Sequence, residues 1–298
     1  EMLADEITAD LRSIRADAIA RARRISRDVS ADLESKGIHF GRITAHADGT
    51  IDTSEVSGLD PDLRVKPFFH HGDTISIREF VVGAFNDEMG LQSVDPELLS
   101  AHNGARIITP SGMVLDGSLD SIKAPPTDSS TADPDGDGKV NEIPISLVDH
   151  MEFYLLNYFK PATYQQTNET RHGRQVFEKA GCAQCHVPDL VINNDRRVAD
   201  VETVHDTERG LYNSLFATAV PLFKQVNDGL GYPALKEPKR QRFLVQNIFT
   251  DFKRHDLGPA FHERNYDGTI RKEFLTSPLW GVGSTAPYGH DGRSINLM

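Results

Sequence analysis

The sequence predicts a mainly α-helical chain of two related halves, with one small β-hairpin and long loops. Three observations predict it: helical apolar spacing from Leu3 to Leu33, a gap-free repeat between residues 67–77 and 287–297, and a thiol motif set behind a short helical stretch. The chain has 298 residues, a net charge of −12, 38% hydrophobic and 26% charged residues, a composition that fits a soluble globular protein of about two domains. No apolar run approaches the ~20 residues that would span a bilayer. The acidic balance argues against a nucleic-acid partner, because a polyanion would be repelled; it permits a cationic protein partner, with plain solubility the commoner use of surplus charge.

Taken in order, Leu3, Ile7, Leu11, Ile14, Ala18, Ala22, Ile25, Val29 and Leu33 recur at helical spacing. They predict one long amphipathic helix ended near Gly37, with a solvated Arg-rich face. Residues 38–56 read as a hairpin around Asp48-Gly49. Lys123 to Ser130, polar and Pro-rich, reads as a connecting loop. Ser146 is placed to cap a helix running through Leu147, Met151, Leu155 and Tyr158. The chain opens on Glu1 with no basic-then-apolar leader, and its last residues stop where a helical pattern begins, as in a processed chain or a piece of a longer one.

The two cysteines of the chain both sit in Gly181-Cys182-Ala183-Gln184-Cys185-His186. This C-x-x-C-H run is the attachment signature of c-type haem. Two thiols add to the two vinyl groups of one porphyrin, and the adjacent His186 reaches the iron as proximal ligand. Val176, Phe177 and Ala180 suit a short helix that delivers the motif. Three other readings compete. Zinc would want a second ligand pair such as H-x3-5-H, and none of the 12 histidines is so spaced. A thioredoxin-like pair belongs in a βαβ context. A disulfide across two residues would close too short a loop to contribute much entropy. Covalent haem attachment places the protein in the periplasm.

The repeat aligns Pro67-Phe68-Phe69-His70-His71-Gly72 with Pro287-Tyr288-Gly289-His290-Asp291-Gly292. Each predicts a tight turn hinged on Gly, followed by Thr or Ser opening a helix. Further upstream of the haem motif, Asp133-Pro134-Asp135-Gly136-Asp137-Gly138-Lys139-Val140-Asn141-Glu142 resembles the first part of an EF-hand loop, with Gly at the sixth position. Asp133, Asp135, Asp137, Glu142 and the Lys139 carbonyl are its candidate calcium ligands. The twelfth position is Pro144, so Glu142 would have to close the cage early; a solvated acidic turn is the competing reading.

Four stretches, 65–91, 133–142, 181–188 and 254–293, together resemble the bacterial di-haem cytochrome c peroxidase superfamily, most closely its di-haem oxidoreductase branch. The resemblance implies two cytochrome c-like helical domains with calcium near their interface. It divides the chain into residues 1–130, a calcium-type linker 131–145, and a haem-bearing domain 146–298. It implies a peroxidase-like oxidoreductase in which electrons pass from the Cys182/Cys185 haem to a second haem, held by a segment upstream of Glu1, where an oxidant reacts. Glu88 falls on the family's acid–base glutamate and His70 on its bridging tryptophan, while Phe80 replaces an active-site glutamine. Pro188, His255, Trp280, His290 and Arg293 fall near the haem, His255 toward a propionate. The distal iron ligand falls past Met298, with Met298, His255 and His262 as fallbacks. Expected partners are a small cationic cytochrome, a second copy of the chain or a larger redox complex. The alternatives are an electron-transfer cytochrome without catalysis and a structural subunit of such a complex.

Overall fold

Residues 1–127, 129, 131–133, 136–158, 167–196 and 242–296 are described in the computed structural model. The helices are α1 (Met2–Ile25), α2 (Ile77–Asp87), α3 (Pro96–His102), α4 (Ile145–Tyr158) and α5 (Asn168–Lys179). The strands are β1 (Val29–Ser35), β2 (Ile38–Ala45), β3 (Ile51–Asp52), β4 (Arg106–Ile108), β5 (Val114–Asp116), β6 (Leu190–Ile192), β7 (Phe243–Val245), β8 (Arg254–Asp256), β9 (Glu263–Arg264), β10 (Ile270–Arg271) and β11 (Glu273–Leu275). The structure is only 31% helical with 20% strand, which overturns the expectation of a mainly α fold of two cytochrome c-like domains. Short strands explain the difference. Most run two or three residues, too few to print an alternating pattern on the sequence.

The chain forms two units that interleave along the sequence. One takes Glu1, Thr74–Lys160 and Asn193–Arg242; the other takes Met2–Asp73, Pro161–Ile192 and Phe243–Met298. The expected boundaries at 130 and 145 both fall inside the first of these.

In the second unit α1 buries Leu3, Ala4, Ile7, Leu11, Ala18 and Ala22 along one stripe. That stripe lies in one apolar cluster with Leu33, Ile38, Phe40, Ile43 and Ala45 of the antiparallel sheet β1-β2-β3. Leu190, Ile192, Val245, Ile248 and Phe252 join the same cluster from much later in the chain. The helix ends at Ile25, not near Gly37, because Ser26 turns to φ 52° and the chain re-enters as a strand. Val29 and Leu33 fit both readings, since an interval of four suits a helix and a strand alike. Lys36 and Gly37, at φ 53° and 77°, form the two-residue turn joining β1 to β2. The expected hairpin around Asp48-Gly49 is present as β2 and β3, with Gly41 bridged to Val56.

The first unit is organised on a buried cation. Arg78 of α2 is fully buried and pairs with Asp95, the N-cap of α3, with Glu97, and with Asp149 and Glu152 of α4. Burial opposes the charge on Arg78, but the surrounding carboxylates, Asp95 foremost, outweigh it and raise its pKa. Carboxylates outnumber the cation. Burial first, then crowding by Asp95, Asp149 and Glu152, pushes the Glu97 carboxyl up. Burial likewise pushes Glu152 up against the hydrogen bonds it accepts from Thr109 (2.7 Å) and Ser111 (2.6 Å).

Candidate functional site

The C-x-x-C-H motif sits at the end of α5. Thr167 caps that helix and exchanges hydrogen bonds with Thr170 in a capping box, so the helix start is fixed locally. Gly181, at φ 84°, turns the chain out of the helix, and Cys182–Gln184 follow as one 3-10 turn. Both thiols are free, Cys182 exposed and Cys185 half-buried. His186 closes the turn through its N–H to the Cys182 carbonyl at 3.0 Å. Its ring Nδ1 lies 2.9 Å from the Phe249 carbonyl oxygen. A carbonyl only accepts, so Nδ1 carries the proton and Nε2 presents a lone pair. Phe177 stands edge-on to His186, with ring centroids 6.2 Å apart, and edge-on to Phe249 at 5.2 Å. No side chain of α5 is buried, and Val176 is 50% exposed. Two thiols and an imidazole with a free Nε2, flanked by the Phe177 ring, are a donor set that a covalently bound porphyrin would fit.

A clasp holds this geometry. Arg174 of α5 donates to Asp189 at 2.7 Å and to Asn247 at 3.3 Å, while the Asn247 N–H donates to Asp189 at 2.9 Å. The three residues tie the helix to the segment that supplies Phe249. Burial would raise the Asp189 carboxyl, but Arg174 and the Asn247 N–H together hold it below its ordinary value. A depressed carboxyl stabilises the fold above the unfolded pKa, about 3.9, and that stability disappears as pH falls through the lower folded value. Asp189→Asn should therefore cost about 1 kcal/mol near neutral pH, since Arg174 keeps a third of its exposure, and nothing in strong acid. Denaturation midpoints of the two proteins across pH 2–7 check this; a constant difference would contradict it.

Three comparisons, with family models, with curated proteins and with solved structures, gave no match to this chain. Among the described residues, no helix is long and apolar enough to cross a membrane.

The remaining candidates fall at three places. Beside the motif, His255 of β8 pairs with the buried Asp251 at 2.8 Å. Together with Cys185 these offer ligand atoms within 4.8 Å of one another. Burial first, and Asp251 second, pushes the Cys185 thiol up. The Pro188 carbonyl accepts from the Ile248 N–H at 2.8 Å, and the Leu279 N–H donates to Ile248 at 3.2 Å, which brings Trp280 to this segment with 41% exposure. His262 pairs with Asp256 at 2.8 Å.

The second place is where the repeat meets itself. Phe69 and Gly289 both have positive φ, as do Gly72 and Gly292, and in each copy the sixth residue's N–H donates to the third carbonyl at 3.1 Å. The two turns are the same structure. In the first copy the helix cap is Ser76 rather than Thr74. The turns bring His70 and His290 together, their rings stacked with centroids 6.0 Å apart, and His290 stacks on Phe274 at 4.0 Å. His71 reaches Glu263 at 3.0 Å. Burial, then His71, pushes the His70 imidazole down, and the His71 hydrogen bond holds the Glu263 carboxyl low. Arg293 pairs with Asp291, pulling that carboxyl to about 2, and also donates to the Ala260 carbonyl.

The third place lies in the other unit. Glu88 is the exposed C-cap of α2, its N–H donating to Ala84, with Met89 beside it 61% exposed. In the acidic loop, Asp133 accepts from the N–H groups of Gly136, Asp137 and Gly138, Asp137 accepts from Lys139, and Glu142 accepts from Gln92. Among the described residues these carboxylates do not gather into a ligand group. Asp135 and Met298 lie outside the described residues.

Sequence reasoning missed Asp251, Asp189, Glu263 and His71. The His70-His71 doublet was a visible signal for the last. Nothing local signals the others.

Proposed function

We propose that this chain is a c-type haem redox protein of peroxidase type, with the haem joined to Cys182 and Cys185 and His186 as its iron ligand. The observation that carries this is the His186 Nδ1 contact with the Phe249 carbonyl, which leaves Nε2 for the iron beside two free thiols. A haem bound there supplies one-electron redox chemistry. The chain's own part is to hold the imidazole's tautomer, through Phe249, and the motif's position, through Arg174, Asp189 and Asn247. Electrons would come from a cationic redox partner outside the cytoplasm, drawn by the net charge of −12. Proton handling falls to Glu88, a carboxylate with solvent access, at the second haem that the resemblance implies and not at the Cys182/Cys185 haem of the other unit. The acidic loop at 133–142 is proposed as a calcium clamp that steadies its own unit; thermal stability unchanged by a chelator would remove that role.

The haemochrome spectrum and intact mass of the native protein test the reading together: covalent haem supports it, and a mass without haem overturns it. Glu88→Gln should slow peroxide turnover about a hundredfold with haem content unchanged. Equal turnover in both proteins would take Glu88 out of the chemistry. A second reading follows from Cys185, Asp251 and His255, a thiol, a carboxylate and an imidazole close enough to share a zinc-like ion. It leaves Cys182 unused, and zinc without haem in the native protein would favour it.

A further inference from the structure

We infer that His70, His71 and Glu263 form a binding site for a divalent first-row transition ion of the zinc class. Their ligand atoms lie within 4.8 Å of one another. The Glu263 carboxylate oxygen is 3.0 Å from Nε2 of His71 and 3.7 Å from Nε2 of His70. Ligands about 2.05 Å from a tetrahedral zinc are about 3.3 Å apart, so both spacings lie within about 0.4 Å of a coordination edge.

Three features set this group apart from a chance surface cluster. Adjacent residues on an extended chain face opposite ways, yet the His70 and His71 ring centroids are only 3.9 Å apart. The turn that makes this possible puts Phe69 at φ 60°, a conformation an aromatic residue rarely takes, and the Leu275 N–H clamps the His70 carbonyl at 2.8 Å. The second copy of the turn brings His290 against the same ring, so an imidazole and Phe274 wall one side. His71 retains 18% exposure while His70 and Glu263 retain about 40%. One side of the ion would therefore face solvent, the pattern of a site that keeps a position for water or a substrate.

The donor set selects the ion. Two imidazoles and one carboxylate suit zinc, iron(II), cobalt or nickel, whereas calcium and magnesium want oxygen throughout. The haem motif contributes no ligand here, so haem content and ion content vary independently.

Zinc retention measured on the full chain tests this, by elemental analysis after gel filtration and by titration with zinc alone. Glu263→Gln and His71→Ala should each lose one equivalent relative to wild type, or weaken its binding at least tenfold. Glu263→Gln is isosteric at a half-exposed position, so the zinc-free variant should stay folded and melt only slightly below zinc-free wild type, by the loss of the His71 pair, which separates ligand loss from misfolding. Equal zinc content and affinity in wild type and both variants overturn the site. Cobalt gives a second readout: the absorption lost with Glu263 should lack a thiolate charge-transfer band. A thiolate band in that difference would put the ion on Cys185 and also overturn the site.

Discussion

Arg78→Met should destabilise the first unit by about 3–5 kcal/mol, the usual cost of removing one partner from a buried ionic network. The side chain is fully buried, and the substitution leaves Asp95, Glu97, Asp149 and Glu152 with no cation among them. Three helices lose their common tie at once. Arg78→Lys keeps the charge but presents a point donor where four carboxylates are met by a planar fork, so it should fall between wild type and Met. The penalty should also depend on pH. Burial already raises Glu97 and Glu152. An acid whose folded pKa exceeds its unfolded one binds more protons in the native state, so stability falls as pH rises between the two values. Without Arg78 both values climb further, and the variant should lose stability more steeply than wild type as pH rises above the ordinary glutamate value, about 4.3. The one tryptophan, Trp280, lies in the other unit, so the probe should be hydrogen exchange in peptides from α2, α3 and α4. A loss below about 1 kcal/mol would mean that packing, not charge pairing, holds these helices.

The second large effect concerns the C-x-x-C-H motif and follows from the haem proposed there. Cys182→Ala combined with Cys185→Ala should abolish covalent haem altogether, whereas His186→Ala should leave attachment possible and change the iron's spectrum. The difference follows from the geometry. The thiols sit on a 3-10 turn that closes through the Cys182 carbonyl, and His186 is oriented independently by Phe249. Asp189→Asn loosens the clasp without removing thiol or imidazole, so covalent haem should persist in it, unlike in the double cysteine variant. Intact mass separates the three variants. Haem retained by the double cysteine variant through denaturation would refute thioether attachment.

What could be read in the sequence followed the distance between interacting residues. The motif and its helix were legible because Val176, Phe177 and Cys182 to His186 are neighbours along the chain, and the helix forms there as α5. The repeat was legible too, as a turn, because Gly72 and Gly292 answer a purely local demand for positive φ. Its meaning was not: the same turn, present twice, does not make two cytochrome c-like halves. The end of α1 was misread because Val29 and Leu33 satisfy two periods at once. The Arg78 hub and the His71–Glu263 pair were invisible, since 71 and 74 residues separate Arg78 from Asp149 and Glu152 and 192 separate that pair. Such contacts exist only once the chain has folded. Strands β8 to β11 carry the same lesson, with each too short to declare itself before its partner arrives.

The interleaving of the units has a consequence in time. Val65 and Phe252 share one apolar cluster, so the surface made by α1 and its sheet cannot be closed until roughly 190 residues after it has been synthesised. At ~5–20 residues per second that is a delay of about 10 to 40 s. Hairpins and helices form in microseconds, so the early segment is structured and waiting throughout. During that interval its apolar side is open to any holding chaperone, and a ribosome stalled anywhere before Phe252 is made would prolong the exposure.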